Sequence, residues 1–227
     1  MKRLSLLGLA TLAFATGASA GPVTNLIVNG DFENNNVAVG GYLYASNPAA
    51  PGLPQSVLAT GWQFAANSGS GIIDHNAGAW GGLAGTTSVG FLQNHPLFGG
   101  TAPVLQQSFV SDAIAYQLSF TLGQRPNNAQ DVLVMLDNVL VGGAAIVAPW
   151  NGGGTNYSFT VSGLTGNSHT LRFTSGPSAG DQTAYLDNVS LVATAFPTSA
   201  VPEPASLGLV GAGLMGLVAV RRRKNKA

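Results

Sequence analysis

Ala115-Tyr116-Gln117-Leu118-Ser119-Phe120-Thr121-Leu122 alternates without a slip. Tyr116, Leu118, Phe120 and Leu122 share one face, and Gln117, Ser119 and Thr121 the other, which is the two-residue period of a half-buried strand. A helix would scatter the same apolar residues around its circumference. The pattern repeats outward from this stretch. Tyr157, Phe159 and Val161 alternate against Ser158 and Thr160, and residues 88–93, 104–110, 131–136, 170–174 and 185–192 are further short runs of strand type. Leu26-Ile27-Val28 is closed by the turn dipeptide Asn29-Gly30. Asp137-Asn138 separates residues 131–136 from 139–141 as a hairpin turn tolerant of positive φ. No window between residues 21 and 200 carries a sustained helical apolar stripe. Short strands divided by Gly- and Asn-rich turns predict an all-β sandwich rather than a parallel α/β sheet. Leu136-Asp137-Asn138-Val139 recurs as Leu186-Asp187-Asn188-Val189. The likeness does not extend around either copy, so we read two β-edge patterns rather than a duplicated unit.

Both ends of the chain read as addresses. Lys2 and Arg3 precede an apolar run, residues 4–14, and Ala18-Ser19-Ala20 is an A-x-A cleavage site, which predicts a signal peptide over 1–20 and a mature chain from Gly21. At the other end, Val201-Pro202-Glu203-Pro204 leads into the charge-free stretch 205–220, followed by Arg221, Arg222, Arg223, Lys224 and Lys226. The two prolines stop a helix from extending backwards. A helix over 205–220 would be about 24 Å long against a hydrocarbon core of about 30 Å, a deficit that bilayer thinning and snorkelling basic residues can absorb. The basic cluster predicts a cytoplasmic C-terminus. Gly208, Ala212 and Gly216 lie four apart, either as a helix-contact face or as filler in a weakly hydrophobic span. The predicted organisation is a signal peptide (1–20), a β-sandwich (21–195), a linker holding the Val-Pro-Glu-Pro motif (196–204), a transmembrane helix (205–220) and a basic cytoplasmic tail (221–227).

Removing both ends changes the electrostatics. The whole chain is formally neutral, but residues 21–200 keep only Arg125 and Arg172 against eight acidic residues, a formal −6. A lysine-free acidic domain is a poor partner for nucleic acid. The chain has no cysteine, so an exported domain of about 180 residues must be held by its core, with or without a metal.

The C-terminal pattern of Pro202-Glu203-Pro204, a Gly-rich apolar stretch and a terminal Arg cluster closely resembles the PEP-CTERM sorting signal of Gram-negative bacteria. That resemblance implies recognition and cutting by a membrane-embedded exosortase, while the A-x-A site at the other end implies signal peptidase. It also implies an inner-membrane precursor, and a final place at the cell surface or in the extracellular matrix, often alongside exopolysaccharide. A plain C-terminal anchor that is never cut is the competing reading. In the middle, Asn25-Leu26-Ile27-Val28-Asn29-Gly30-Asp31-Phe32-Glu33, Gly61-Trp62 and Tyr185-Leu186-Asp187-Asn188-Val189-Ser190-Leu191 resemble jelly-roll carbohydrate-binding modules of the galactose-binding-like type. The similarity is diffuse and strongest where the first and last strands would pair. It implies a jelly-roll β-sandwich with Trp62 in its core. It also implies a structural calcium near that seam, with Glu33 and Asp187 as ligands beside backbone carbonyls, a donor set calcium accepts. The alternative is that Asp31 and Asp187 cap turns and Glu33 is solvated.

The resemblance also directs attention to loop aromatics as sugar platforms: Tyr42, Tyr44, Trp80 and Trp150, with His95 beside them. Each could equally be a lid over the core. Residues 40–54 read as one long loop. Catalysis finds little support. The histidines are His75, His95 and His169, with no H-x-x-x-H pair, no G-x-S-x-G elbow and no phosphate loop. Paired carboxylates for glycoside hydrolysis need a partly buried acid, whereas most aspartates here sit in turn-like contexts. The expectation is an exported, non-enzymatic protein whose domain binds polysaccharide. Behind it stand a structural or adhesive matrix protein of a biofilm, and more distantly a glycoside hydrolase.

Overall fold

The alternating stretch forms the middle of the sandwich. The computed structural model describes residues 24–45, 56–78, 81–150, 152–176 and 180–197. The expected signal peptide, the Val201–Pro204 motif, the span 205–220 and the basic cluster lie outside the described residues. No helix among the described residues is long and apolar enough to cross a membrane. In chain order the strands are β1 (Tyr42–Tyr44), β2 (Gln63–Phe64), β3 (Ser70–Asp74), β4 (Ser88–Asn94), β5 (Val104–Val110) and β6 (Ala115–Gln124). They continue with β7 (Asp131–Leu136), β8 (Val139–Leu140), β9 (Ile146–Val147), β10 (Thr155–Ser162), β11 (Ser168–Ser175) and β12 (Gln182–Ala195). Two sheets face each other, one ordered β1-β3-β4-β12-β6-β10 and the other β2-β5-β11-β7-β8, with β9 pairing β7. All these pairings are antiparallel. The chain is therefore an all-β sandwich.

Tyr116, Leu118, Phe120 and Leu122 of β6 are all buried between the sheets, opposite Leu136, Leu171, Phe173 and their neighbours. Each such side chain contributes about 1.5–3 kcal/mol of transfer free energy. Trp62 joins this core, stacked on Phe32 at 4.7 Å, with its indole N–H donating to the carbonyl of Asn29 at 2.8 Å. That agrees with its expected core role.

The first sheet is buried on both faces over half its width. Leu92, Ala184 and Leu186 point into the sandwich. Val89, Phe91 and Tyr185, of opposite parity on the same strands, join Tyr44, Ile73, Leu83 and Phe98 in a second cluster on the outer face. The unbroken run Val89-Gly90-Phe91-Leu92 is the sequence sign of such two-sided burial. The other half of that outer face is polar, where Gln117, Ser158 and Thr160 of β6 and β10 hydrogen-bond one another.

Four differences from the sequence reading have physical causes. Leu26-Ile27-Val28 is not a ladder strand: Asn25 bridges Val192, Leu26 donates to Leu191, and both main-chain groups of Val28 bond the side-chain amide of Gln107 instead of a neighbouring strand. Residues 42–44 are strand β1 rather than part of a long loop, while residues 46–55 lie outside the described residues. Strands β2, β3 and β9 also went unread, because two-residue pairings and a glycine inside β3 leave little periodicity. The Leu-Asp-Asn-Val echo serves two different ends. Asp137 and Asn138, at φ 50° and 66°, turn the β7–β8 hairpin, whereas Asn188, at φ 51°, lies at a bulge in β12, a central strand and not an edge.

Candidate functional site

The first candidate is the seam where the chain's opening segment meets β12. Asn25 fixes it with one oxygen, accepting from the N–H groups of Ile27 at 3.1 Å and Leu191 at 2.9 Å. Val189 donates to the carbonyl of Gly30 at 2.8 Å, and a Cβ on Gly30 would lie 1.9 Å from the Val189 oxygen. Only glycine allows the two backbones this close. The approach brings Asp31 and Glu33 beside β12. Glu33 is exposed, and one of its oxygens accepts from the N–H groups of Thr87 at 3.0 Å and Ser88 at 3.2 Å. Asp187 is buried, and its two oxygens take the main-chain N–H and side-chain amide of Asn188 at 2.7 and 3.1 Å.

Burial pushes the Asp187 carboxyl up to about 7. The Asn188 N–H opposes that rise, and the charges of Glu33 and Asp31 add to it. Three carboxylates thus share a seam, and among the described residues no basic side chain is bonded to any of them. The charge and oxygen chemistry fit a hard cation. The donor count from side chains is small: among the described residues, no group of three or more His, Cys, Asp or Glu is arranged to hold a metal ion. Glu33 and Asp187 would need main-chain carbonyls and water to complete a shell.

The second candidate lies at the far end of β12. A cavity of about 400 Å³ is bordered by Asn94, His95 and Thr101, by Ser175, and by Gly176 and Gly180. His95 stands at the N-terminus of a short 3₁₀ turn (Pro96–Phe98), where its Nδ1 accepts from the Leu97 N–H at 3.1 Å and its ring lies edge-on to Phe98 at 5.9 Å. Ser175 donates to Asn94, which donates to the carbonyl of Gly176. Among the described residues, no carboxylate borders the cavity. From Gln93 and Asp181, the sequence neighbours of its border residues Asn94 and Gly180, runs a polar chain that the sequence does not announce. The Tyr44 hydroxyl donates to Gln93, the Gln93 amide donates to Asp181, and Arg125 pairs with Asp181 at 2.8 Å while donating to its carbonyl at 2.9 Å. Burial holds the Tyr44 and Tyr185 hydroxyls well above the usual tyrosine range. A polar residue between Leu92 and Asn94 was the available signal; its partners are 49 and 88 positions away in sequence.

The expected sugar platforms do not converge. Tyr44 is corrected to a core residue: it is 1% exposed, packed edge-on against Phe91 at 5.0 Å, so neither ring face is open for stacking. Tyr42 is half-buried beside it at 5.8 Å. Trp150 is 55% exposed in the segment after β9. Trp80 lies outside the described residues. His95 alone of these candidates borders the 400 Å³ cavity.

One further polar pair holds the other sheet. His169, buried on β11, sets Nδ1 2.5 Å from Asp137 and Nε2 3.1 Å from the Ser111 carbonyl, while the second Asp137 oxygen accepts from the Thr170 N–H at 2.8 Å. Both ring nitrogens face acceptors, so the pair pins the β7–β8 turn and the loop after β5 to one strand.

Comparison with known proteins separates the C-terminal end from the middle. Residues 200–224 match the PEP-CTERM protein-sorting motif, which marks the chain as an exported protein made as a membrane-anchored, processed precursor. No curated protein matches the chain. Among solved structures it is similar to the Stig cyclase Fisc from Fischerella sp. TAU, at 14% identity over 77% of this chain and 100% of that one, TM-score 0.50. It is also similar to a CBM61 module solved with β-1,4-galactotriose, at 12% identity over 75% and 99%, TM-score 0.43. A family 35 carbohydrate-binding module from Clostridium thermocellum matches at 9% identity over 59% and 92%, TM-score 0.40. At 14% identity the first of these is a likeness of fold alone.

Proposed function

We propose that this is an exported protein whose β-sandwich is a non-catalytic binding domain for polysaccharide. The observation that carries the reading is the cavity at the end of β12. Its edge offers hydroxyl, amide and glycine main-chain groups beside the His95 imidazole, with no acidic or Arg/Lys side chain among the described residues that border it. That is a surface suited to sugar hydroxyls and one ring face. The sorting motif supports delivery to the surface, where such a domain meets polymer. Catalysis is not part of the proposal. The carboxyl with the raised proton affinity, Asp187, does not border that cavity, and a hydrolase needs its acid beside the bound sugar.

Calcium belongs to the same proposal as a structural staple at the seam, held by Glu33 and Asp187 with main-chain carbonyls. It would supply the positive charge that the three carboxylates lack. Binding of the exported, processed protein to a panel of neutral and acidic polysaccharides, with calcium present, tests the function. Retention that falls when His95→Ala and Thr101→Ala are combined supports it. No retention on any polymer returns the chain to a structural matrix role. Intact-mass measurement of the released protein locates both cuts.

A further inference from the structure

The domain spends its two cations very differently. Arg125 is paired with Asp181. The side chain of Arg172, in the middle of β11, makes no ion pair and no hydrogen bond to any described residue, and its Nε is buried without a partner. Strand parity sets it on the outer face of the second sheet, between the buried Leu171 and Phe173, with Gln106 of β5 on one side and Met135 of β7 on the other. Gln106 donates to Gln63 of β2 at 3.1 Å, so two amides line up beside the guanidinium. Together with Phe64 and Val104 they border a depression of about 260 Å³, room for about one sugar ring.

A half-buried guanidinium with no described acceptor, one of its N–H groups sealed from water, is ready to take one. We propose that this depression binds the carboxylate of a uronic acid unit, making the ligand an acidic polysaccharide. The planar guanidinium fork matches a carboxylate with two parallel hydrogen bonds. The neutral amides of Gln63 and Gln106 suit the hydroxyls around it, and Phe64 an apolar ring edge. Phosphate is a poorer match, because its third oxygen and second charge would find no further cation among the described residues that border the depression. This site is separate from the cavity at the end of β12, although it rests on the reading of the domain as a glycan binder.

Titration calorimetry of the exported protein with a tetragalacturonate and with its methyl ester tests the assignment, since the two differ only in the carboxylates. The acid should bind roughly tenfold tighter than the ester, and the gap should close as salt screens the contact. Arg172→Gln should bring the acid down to the ester, and Arg172→Lys should recover it only in part. Gln106→Glu, which supplies an internal carboxylate to the guanidinium, should abolish the preference while leaving the melting temperature unchanged or higher, so lost binding is not mistaken for lost folding. Equal binding of acid and ester, unchanged binding by Arg172→Gln, or equal capture of poly-glutamate each overturns the proposal. Variants at His95 and Thr101 leave this preference intact, so failure of the first site and of this one are read separately.

Discussion

Asp187→Asn gives the sharpest test of the seam. In the unfolded chain this carboxyl titrates near its ordinary 3.8, and in the fold near 7. Between those values the native state holds a proton that the unfolded state has lost, so stability falls as pH rises. The contribution is fully present below about pH 4, is lost as pH climbs to and through about 7, and is constant above. Three units at about 1.36 kcal/mol each give about 4 kcal/mol. The seam lies at the surface, where solvent screens part of the effect, and about 2 kcal/mol is the better expectation. For a domain of this size that is about 4–8 °C in melting temperature. Other groups titrate too, so the quantity to measure is the difference between Asp187→Asn and wild type, followed by differential scanning fluorimetry from pH 4.5 to 8 in EDTA. The variant should gain on wild type from pH 4.5 up to about 7 and level off above it. With millimolar calcium at pH 8 the gap should close or reverse, because the cation restores the ionised form that only wild type has. A difference that stays flat with pH, or that ignores calcium, refutes the electrostatic account of the seam.

Three further outcomes follow from packing. Trp62→Ala removes the ring stacked on Phe32 and the hydrogen bond to Asn29, and should cost about 3–5 kcal/mol in urea unfolding. Gly30→Ala places a methyl 1.9 Å from the Val189 carbonyl, so the first segment must leave β12; the variant should lose soluble yield or gain protease sensitivity near residues 24–33. Asp137→Asn keeps a residue that tolerates positive φ in the β7–β8 turn but withdraws the carboxylate from buried His169, and about 2 kcal/mol of destabilisation at pH 7 is expected by chemical denaturation.

The strands that carry the core were legible because half-buried antiparallel strands announce themselves every second residue. β6 and β10 alternate in sequence as they do in space. What stayed hidden was held by side chains rather than by period. Gln107 supplies to Val28 what a neighbouring strand would have supplied, and no local pattern predicts an amide 79 positions away. Tyr44 was misread for the same reason. Among Gly and Pro it looked like loop, but a second apolar cluster on the outside of the sheet covers it. At the candidate sites, the resemblance pointed to Glu33 and Asp187, which lie near enough in the fold for the Glu33 charge to act on Asp187, and the loop reading named His95. Sequence passed over Arg172, since an arginine on a strand is unremarkable until the rest of the sheet shows that nothing answers it.

The length of β12 has a consequence for how the domain is displayed. Gln182 pairs beside Asn94 at the cavity, and Ala195 pairs with Ala115 beyond the point where Asn25 meets Val192. Thirteen steps along a strand span roughly 40 Å. The described chain thus enters and leaves at one pole, and the cavity opens at the other. A domain tethered through residues that follow Pro197 stands on that pole like a post, lifting its cavity clear of whatever surface holds the tether.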